Sequence, residues 1–287
     1  MPFKILLMPI RESDTSAELM ETGLLTAKRF NAHLDLLYVH PNPEEMLPFD
    51  TFWISDSIKS SVLEIAEQNA VDQAKRLRSA FDELCERHEV PQRPRGESPG
   101  NASAGWLEER GPHDVYIGCL GRLADVVIMP KPSRIAPPPS SFEAAVRETG
   151  RPVLMVPRKT ITPLHAKHVT IGWNNSKEAA QAVAAARPCL RQADSVTVMV
   201  TEKRRNQRPS AEELVTYLKC HGVEAEIGML DVRKRSVGEA LLAQSKETGA
   251  DLLVVGGYSR SRLREMVMGG VTAHLLEHAD LPVMLVH

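Results

Sequence analysis

The segment ADLLVVGGYSRSRLREMVMGGVTAHLLEHADLPVMLVH, residues 250–287, decides the fold of its half of the chain. It opens with the apolar run Leu252–Val255, which has the length and composition of a buried strand. A glycine-containing, basic stretch follows, and Gly269 and Gly270 then precede an apolar-periodic helix pattern. A second apolar run, from Leu281, closes the segment. The order strand, loop, helix, strand predicts parallel strands joined by a helix.

The same succession occurs earlier in the chain, so the sequence contains an internal repeat. Three pairs of apolar segments correspond in kind, and a fourth pair supplies the second strand of each half. The pairs are ADVVIMP (from Ala124) with ADLLVVG (Ala250), RPVLMVP (Arg151) with LPVMLVH (Leu281), FKILLMPI (Phe3) with HVTIGWN (His168), and LDLLYVH (Leu34) with VTVMVTE (Val196). The repeating unit is therefore a whole domain.

Each half is predicted to alternate five strands with four helices. The strands are near-continuous Val/Ile/Leu/Met runs, which is typical of parallel strands covered on both faces. The sequence therefore predicts an α/β fold of two tandem, doubly wound, Rossmann-like parallel-sheet domains. We place them at residues 1–159 and 166–287, with a polar connector from Pro157 to His168. A long helix is expected around Ile58 to His88.

Composition excludes several classes of function. A formal net charge of -2 argues against a general nucleic-acid binder. The sequence has no apolar stretch of the roughly 18 residues that a membrane span requires, and its start lacks a signal-peptide cleavage pattern. Four cysteines without a CxxC pair, at positions 85, 119, 189 and 220, favour reduced thiols packed as small hydrophobes. We therefore expect a cytoplasmic protein without membrane or nucleic-acid partners.

The glycines after Val255 have two physical interpretations. Gly256 has no Cβ, so a phosphate or ribose could approach its backbone, and the helix that starts after Gly269 offers free amides to an anion. Thr272 and Arg260 would add a hydroxyl and a positive charge. Alternatively, the glycines allow a tight turn and the arginines are solvated. Short glycine patterns alone do not decide between the two.

The second half resembles the universal stress protein family, and the whole chain resembles a tandem member of it. Nucleotide-binding members of the family carry G-x-x-G-x9-G-S/T after the fourth strand, and this chain has Gly256, Ser259, nine residues, Gly269 and Gly270. The resemblance implies an adenine-nucleotide alpha hydrolase-like fold. It also implies that the two domains are related by pseudo-twofold symmetry and that their terminal strands pair with each other across that axis.

By the same resemblance, Gly172, Trp173 and Val200 are expected near an adenine. The phosphates are expected near Gly256, Ser259, Gly269, Gly270 and Val271. Departures from the pattern are Ser259 for the second glycine, Gly270 for the hydroxyl residue, and Asn174 where many members have a ribose-binding aspartate. Asparagine still hydrogen-bonds a hydroxyl, without the charge of a carboxylate.

The first half departs further from the family pattern. Its fourth strand is followed by KPSRIAPPPSSFEAAVRETG, in which the glycine positions are lost. Prolines also remove the backbone donors that a phosphate cradle requires. We therefore predict that the first domain keeps the fold and lacks this cradle.

Other patterns were weighed against structural roles. HLLEH, His274–His278, matches an H-x-x-E-H zinc pattern, but Leu275 and Leu276 favour a helix packed on the sheet. Lys203, Arg204, Arg205 and Arg208 are interpreted as a solvated loop before a helix capped by Ser210. For Arg233–Arg235, contact with an anionic ligand and plain surface charge both stay open.

These observations lead to one functional expectation and one alternative. We expect a stress-response protein whose second domain binds ATP or a related adenine nucleotide, without strong catalysis and with at most slow incidental hydrolysis. The alternative is a nucleotide-independent module that senses or scaffolds through protein contacts. A magnesium ion with the nucleotide, pairing of the two domains and a homodimer are further expectations, and no protein-bound metal is expected.

Overall fold

The computed structural model describes residues 2–41, 56–97, 100–133, 139–257 and 270–287. The elements of the first half are β1 (Ile5–Ile10), α1 (Ser16–Phe30), β2 (His33–His40), α2 (Asp56–Arg87), β3 (Ser103–Arg110), α3 (His113–Gly121), β4 (Val126–Pro130), α4 (Ser140–Arg147) and β5 (Val153–Val156). Those of the second half are β6 (His168–Gly172), α5 (Lys177–Leu190), β7 (Ser195–Thr201), α6 (Ala211–Cys220), β8 (Glu226–Leu230), α7 (Val237–Glu247), β9 (Leu252–Gly256), α8 (Gly270–His278) and β10 (Val283–Val286). The predicted alternation of strands and helices is confirmed in both halves.

The described strands form a single 10-stranded sheet in the order β3-β2-β1-β4-β5-β10-β9-β6-β7-β8. Neighbours within each half are parallel, whereas β5 and β10 pair antiparallel at the centre, with Leu154 opposite Met284. This central pair confirms the predicted pairing of RPVLMVP with LPVMLVH. It also leaves neither apolar terminal strand as an open edge.

Helices cover both faces of this sheet. One buried cluster joins α1, α2, α5 and α6 to one face, and a second joins α3, α4, α7 and α8 to the other. The first cluster crosses the centre of the sheet, because Leu154 of β5 and Met284 of β10 both belong to it. The two halves therefore share a core. None of the helices in the described ranges is long and apolar enough to cross a bilayer.

A pair of aspartates gives the residue correspondence between the halves. Asp125, just before β4, accepts hydrogen bonds from the amides of Lys4 and Ile5 at 2.7 and 3.0 Å. Asp251, just before β9, accepts from the amides of Lys167 and His168, both at 3.0 Å. Each aspartate therefore fixes the start of the first strand of its own half.

The two outer strands differ from the predicted continuous apolar pattern. β3 reads SAGWLEER and β8 reads EIGML, and both contain exposed or half-buried positions. They are the two ends of the described strand order, and β3 has in addition one isolated bridge, between Ala104 and Gln92. On β8, Ile227 and Met229 are exposed. Continuous apolar runs are thus confined to the inner strands, which have neighbours on both sides.

The cysteines only partly follow the expectation. All four are free thiols, but Cys85 and Cys189 are buried, whereas Cys119 and Cys220 are exposed. Burial raises the pKa of the Cys85 thiol to about 12. Two of the four therefore pack as small hydrophobes, and the exposed pair does not.

The connector between the halves is packed against α1. Leu164 and Ala166 are buried, although the surrounding sequence is polar. The amide of Thr162 donates to Thr22 Oγ1 and the amide of Leu164 donates to Thr26 Oγ1, both at 3.1 Å. Two buried threonines of α1 thus hold the connector in place.

We expect Thr26→Val to lower the free energy of unfolding by about 2 kcal/mol, because it leaves the buried Leu164 amide without an acceptor. Chemical denaturation measures this change. Thr216→Val is the matched control. Thr216 Oγ1 donates to the carbonyl of Glu212, four residues earlier, at 2.9 Å, as Thr26 Oγ1 donates to that of Thr22, but Thr216 is exposed. Equal effects of the two substitutions would contradict a specific role of Thr26.

Candidate functional site

The candidate site lies at the carboxyl edge of the second half, where β6 and β9 are neighbours. In the sheet, β6 lies between β7, the next strand along the chain, and β9. In open α/β sheets, ligands bind at such a switch point, beyond the carboxyl ends of the strands. The loop after β6, the loop after β7 and the start of α8 all belong to this edge.

Trp173 and Val200, both predicted near an adenine, lie in one buried cluster. Trp173 is 6% exposed and Val200 is 0% exposed. The Trp173 indole donates from Nε1 to the carbonyl of Pro209 at 3.0 Å, and its amide donates to Met199 O at 2.9 Å. Both side chains therefore serve the core, and a ligand here would meet mainly the backbone.

Asn174 is exposed and follows Trp173 directly. Its Oδ1 accepts from the amide of Ser176 at 3.2 Å, and Ser176 Oγ caps α5 by accepting from the amide of Ala179 at 3.1 Å. The Nδ2 group of Asn174 has no hydrogen-bond partner among the described residues. It is available to donate to a ligand hydroxyl.

Arg204 connects the loop after β7 with the loop after β6. Its Nη1 donates to Asn174 O at 3.0 Å and to Asn175 Oδ1 at 2.7 Å. Asn175 has a φ of 55°, in the left-handed region, so its backbone adopts a conformation that needs support from its surroundings. Arg204 is exposed, as the interpretation of the basic run as solvated predicts, and it also bonds to the loop after β6. A sequence pattern does not reveal which member of such a run reaches a neighbouring loop.

Gly256 and Gly172 have packing roles. A Cβ on Gly256 would lie 2.4 Å from the amide nitrogen of Ala179 and 2.6 Å from the carbonyl carbon of Glu178, in the first turn of α5. A Cβ on Gly172 would lie 3.0 Å from Val255 Cγ1. The absence of a Cβ at Gly256 thus has a packing reason, because the first turn of α5 occupies that space. Approach of a phosphate to the Gly256 backbone stays a prediction.

The start of α8 is exposed. Gly270 is its first residue, and a Cβ added there would meet no atom of the described residues within 4 Å. Val271 is half-buried and Thr272 is buried. The first amides of a helix lack intrahelical partners and attract anions. Of the predicted phosphate-site residues, Ser259, Arg260 and Gly269 lie outside the described residues.

The basic run after β8 is partly neutralised. Arg233 donates to both carboxylate oxygens of Asp231, at 2.9 and 2.8 Å. These hydrogen bonds lower the pKa of the Asp231 carboxyl. Lys234 and Arg235 are exposed. Their contact with an anionic ligand stays a prediction.

The HLLEH pattern lies on α8. The rings of His274 and His278 are 4.3 Å apart between centroids, while Leu275 and Leu276 are fully buried against the sheet. His278 ends the helix, as predicted. Among the described residues, three or more His, Cys, Asp or Glu side chains are nowhere grouped as a metal site.

The first half has different residues at the corresponding positions. Counting from the aspartates places Pro130 at the position of Gly256 and Lys131 at that of Gly257. Counting from the paired strand starts places Arg11 at the position of Asn174 and Tyr38 at that of Val200. Ile5 and Ser16 are separated by eleven positions, whereas His168 and Lys177 are separated by nine, so α1 begins later than α5. The first half thus lacks both the glycine and the helix start that packs on it.

Comparisons with known proteins agree with this architecture. The model of the "Universal stress protein family" matches residues 165–287. A universal stress protein from Archaeoglobus fulgidus DSM 4304 has a similar structure, with a TM-score of 0.69 at 12% identity over 98% of this chain and 97% of that chain. A search of curated proteins gives no match.

Two further solved structures cover nearly the whole chain. A Pseudomonas aeruginosa UCBPP-PA14 protein has a TM-score of 0.54 at 14% identity, over 99% of this chain and 93% of that chain. The cytoplasmic domain of a prokaryotic cation chloride cotransporter has a TM-score of 0.53 at 15% identity, over 99% of this chain and 95% of that chain. These likenesses establish the fold of both halves.

Proposed function

We propose that the second half, whose residues 165–287 match the model of the universal stress protein family, binds ATP or a related adenine nucleotide. The observation that carries the proposal is that the α8 N-terminus, at the exposed Gly270, and the exposed Asn174 lie on the same edge of the sheet. The amides of the first turn of α8 would receive the phosphates, and Asn174 Nδ2 would donate to the ribose. The adenine would lie at the ends of β6 and β7, against their backbone.

Binding without strong catalysis is the second part of the proposal. The polar side chains around Asn174 hold loops and cap helices, as Arg204 and Ser176 do. Hydrolysis would be slow and incidental. A magnesium ion would arrive with the phosphates and keep most of its water ligands. We propose a cytoplasmic stress-response protein that acts through the nucleotide-bound state.

Equilibrium dialysis with labelled ATP tests this proposal directly. We expect saturable binding in the micromolar to millimolar range that is typical of metabolite sites. Absence of binding at millimolar ATP would refute the proposal. GTP and CTP serve as competitors, because a site that recognises adenine should prefer ATP.

Gly270→Leu separates the ligand site from the fold. We expect it to weaken ATP binding by about tenfold, because a side chain at the start of α8 would obstruct the phosphates. The free energy of unfolding should stay the same or rise slightly, since a Cβ at Gly270 meets no atom of the described residues and glycine is a poor helix former. Lys219→Leu, in the exposed last turn of α6, is the control for added apolar surface. Unchanged ATP affinity in Gly270→Leu would place the phosphates elsewhere.

A nucleotide-independent module is the second candidate. The observation in its favour is that the first turn of α5 fills the space beside Gly256, and that Trp173 and Val200 are buried. Mass spectrometry of small molecules that co-purify with the protein distinguishes the two candidates. A bound nucleotide favours the first, and a ligand-free protein that fails to bind ATP favours the second.

A further inference from the structure

Lys131 stands in the first half at the position where the glycine-containing loop begins in the second half. Its amide donates to the carbonyl of Val156 at 2.8 Å, just as the amide of Gly257 donates to the carbonyl of Val286 at 2.8 Å. The backbone at the end of β4 is therefore the same as at the end of β9. The difference is the long, charged side chain.

The Lys131 side chain crosses to the other half. Its Nζ donates to the carbonyl oxygens of Glu277 and Ala279, both at 3.0 Å. These carbonyls lie at the C-terminal end of α8, where helix carbonyls lack intrahelical donors and a positive charge is stabilising. Lys131 thus caps the helix whose opposite end carries Gly270.

The Lys131 backbone is itself fixed. Arg158 follows β5, and its Nε donates to the carbonyl of Lys131 at 2.6 Å. Burial lowers the pKa of Arg158, and Asp14 opposes this effect. The lysine therefore projects from a backbone that is held from two sides, by Val156 and by Arg158.

The corresponding helix of the first half is held differently. At the end of α4, Arg122 Nε donates to the carbonyl of Glu148 at 3.2 Å, within the same half. Counting from the aspartates, Thr248 occupies the position of Arg122, and its hydroxyl bonds to Gln244 O and Ser245 O on its own helix. The end of α8 therefore receives from the first half the contact that α4 receives from its own half.

We infer that Lys131 is a positioning residue for the nucleotide site of the second half, an inference that rests on the proposed function. α8 is a helix of 9 residues, so its two ends lie roughly 13 Å apart at 1.5 Å per residue. A short helix held at its C-terminal end keeps its N-terminal amides in place for the phosphates. Loss of this anchor lowers the fraction of molecules that are competent to bind. The first half thus contributes to a site that it does not itself possess.

Lys131→Met tests the inference, because methionine keeps most of the aliphatic stem and removes the charge and the donors. We expect amide hydrogen exchange in residues 274–279 of the nucleotide-free protein to accelerate by about threefold to tenfold, and ATP affinity to fall by a similar factor. Lys131→Arg keeps a charged donor, so its hydrogen exchange and its ATP affinity should stay close to those of the wild type. Lys219→Met removes an exposed lysine from the last turn of α6 and should change neither.

The two readouts distinguish failure of the inference from failure of the proposed function. Unchanged exchange in α8 of Lys131→Met overturns the anchor, whether or not ATP binds. Accelerated exchange with unchanged ATP affinity overturns the link to the nucleotide site. If the wild-type protein binds no ATP, the proposed function fails, while accelerated exchange in Lys131→Met still supports the anchor.

Discussion

Gly256→Ala should lower the free energy of unfolding by about 3 kcal/mol, one of the largest effects expected for a single methyl group in this chain. The added Cβ would lie 2.4 Å from the backbone nitrogen of Ala179 and 2.9 Å from its Cα. Backbone atoms in the first turn of a capped helix have no alternative position nearby. The first turn of α5 or the end of β9 must therefore shift.

Chemical denaturation of Gly256→Ala and Gly270→Ala forms a matched pair. A Cβ at Gly270 meets no atom in the part of the chain that the structure describes, so the same methyl group there should leave stability unchanged or raise it by up to about 1 kcal/mol. Comparable stabilities for the two variants would refute the packing role of Gly256. The pair also guards against misinterpretation, since lost ATP binding in an unstable Gly256 variant would say nothing about phosphate contact.

Acidification should destabilise the protein through His113, by about 3 kcal/mol between pH 6.5 and pH 4. Desolvation by burial, together with Arg11, lowers the pKa of His113 from 6.5 to about 4. Asp114 acts in the opposite direction. Neither ring nitrogen of His113 has a hydrogen-bond partner among the described residues. The unfolded chain therefore takes up the proton at a higher pH than the folded chain does, so stability is complete above pH 6.5 and is lost as the pH falls towards 4.

His113→Leu isolates this contribution. Leucine does not titrate, and no hydrogen bond of the ring nitrogens is lost. We therefore expect the variant to lose about 3 kcal/mol less than the wild type over the same pH interval. His165→Leu replaces an exposed histidine and is the control. Parallel pH curves for the wild type and His113→Leu would show that His113 does not cause the acid sensitivity.

The fold was predictable because its main signals are local and occur twice. Apolar runs predicted the inner strands, and the family resemblance implied the pairing of the two terminal strands that β5 and β10 form. The aspartates in ADVV and ADLL are visible in the sequence, but their role is not. It depends on amides that lie far away along the chain, such as those of Lys4 and Lys167.

Details of the candidate site were less predictable, because a residue type does not encode the distance to its neighbours. A glycine at position 256 fits a phosphate cradle and a close helix equally well until the position of Ala179 is known. Arg204 belongs to a run of similar basic residues, and only loop geometry selects it. The contact of Lys131 with Ala279 joins residues 148 positions apart.

A buried polar network in the first half was also beyond sequence analysis. His33 lies between Ser103 Oγ, 2.8 Å from Nδ1, and Asp35 Oδ1, 3.1 Å from Nε2. Arg95 donates to the other carboxylate oxygen of Asp35. Since Asp35 is 1% exposed, this pairing is what makes its burial tolerable. Alternation along a strand predicts which residues lie on the same face of the sheet. It does not predict that a loop residue such as Arg95 pairs with one of them.

The β5–β10 ladder has a consequence for how this protein depends on its own concentration. An interface between separate subunits forms only above a dissociation threshold, whereas here both strands belong to one polypeptide and meet at a high effective concentration. Dilution therefore does not separate the two halves. The pairing edge of each half therefore does not have to match a second copy of itself. One half can specialise as a permanent partner of the other.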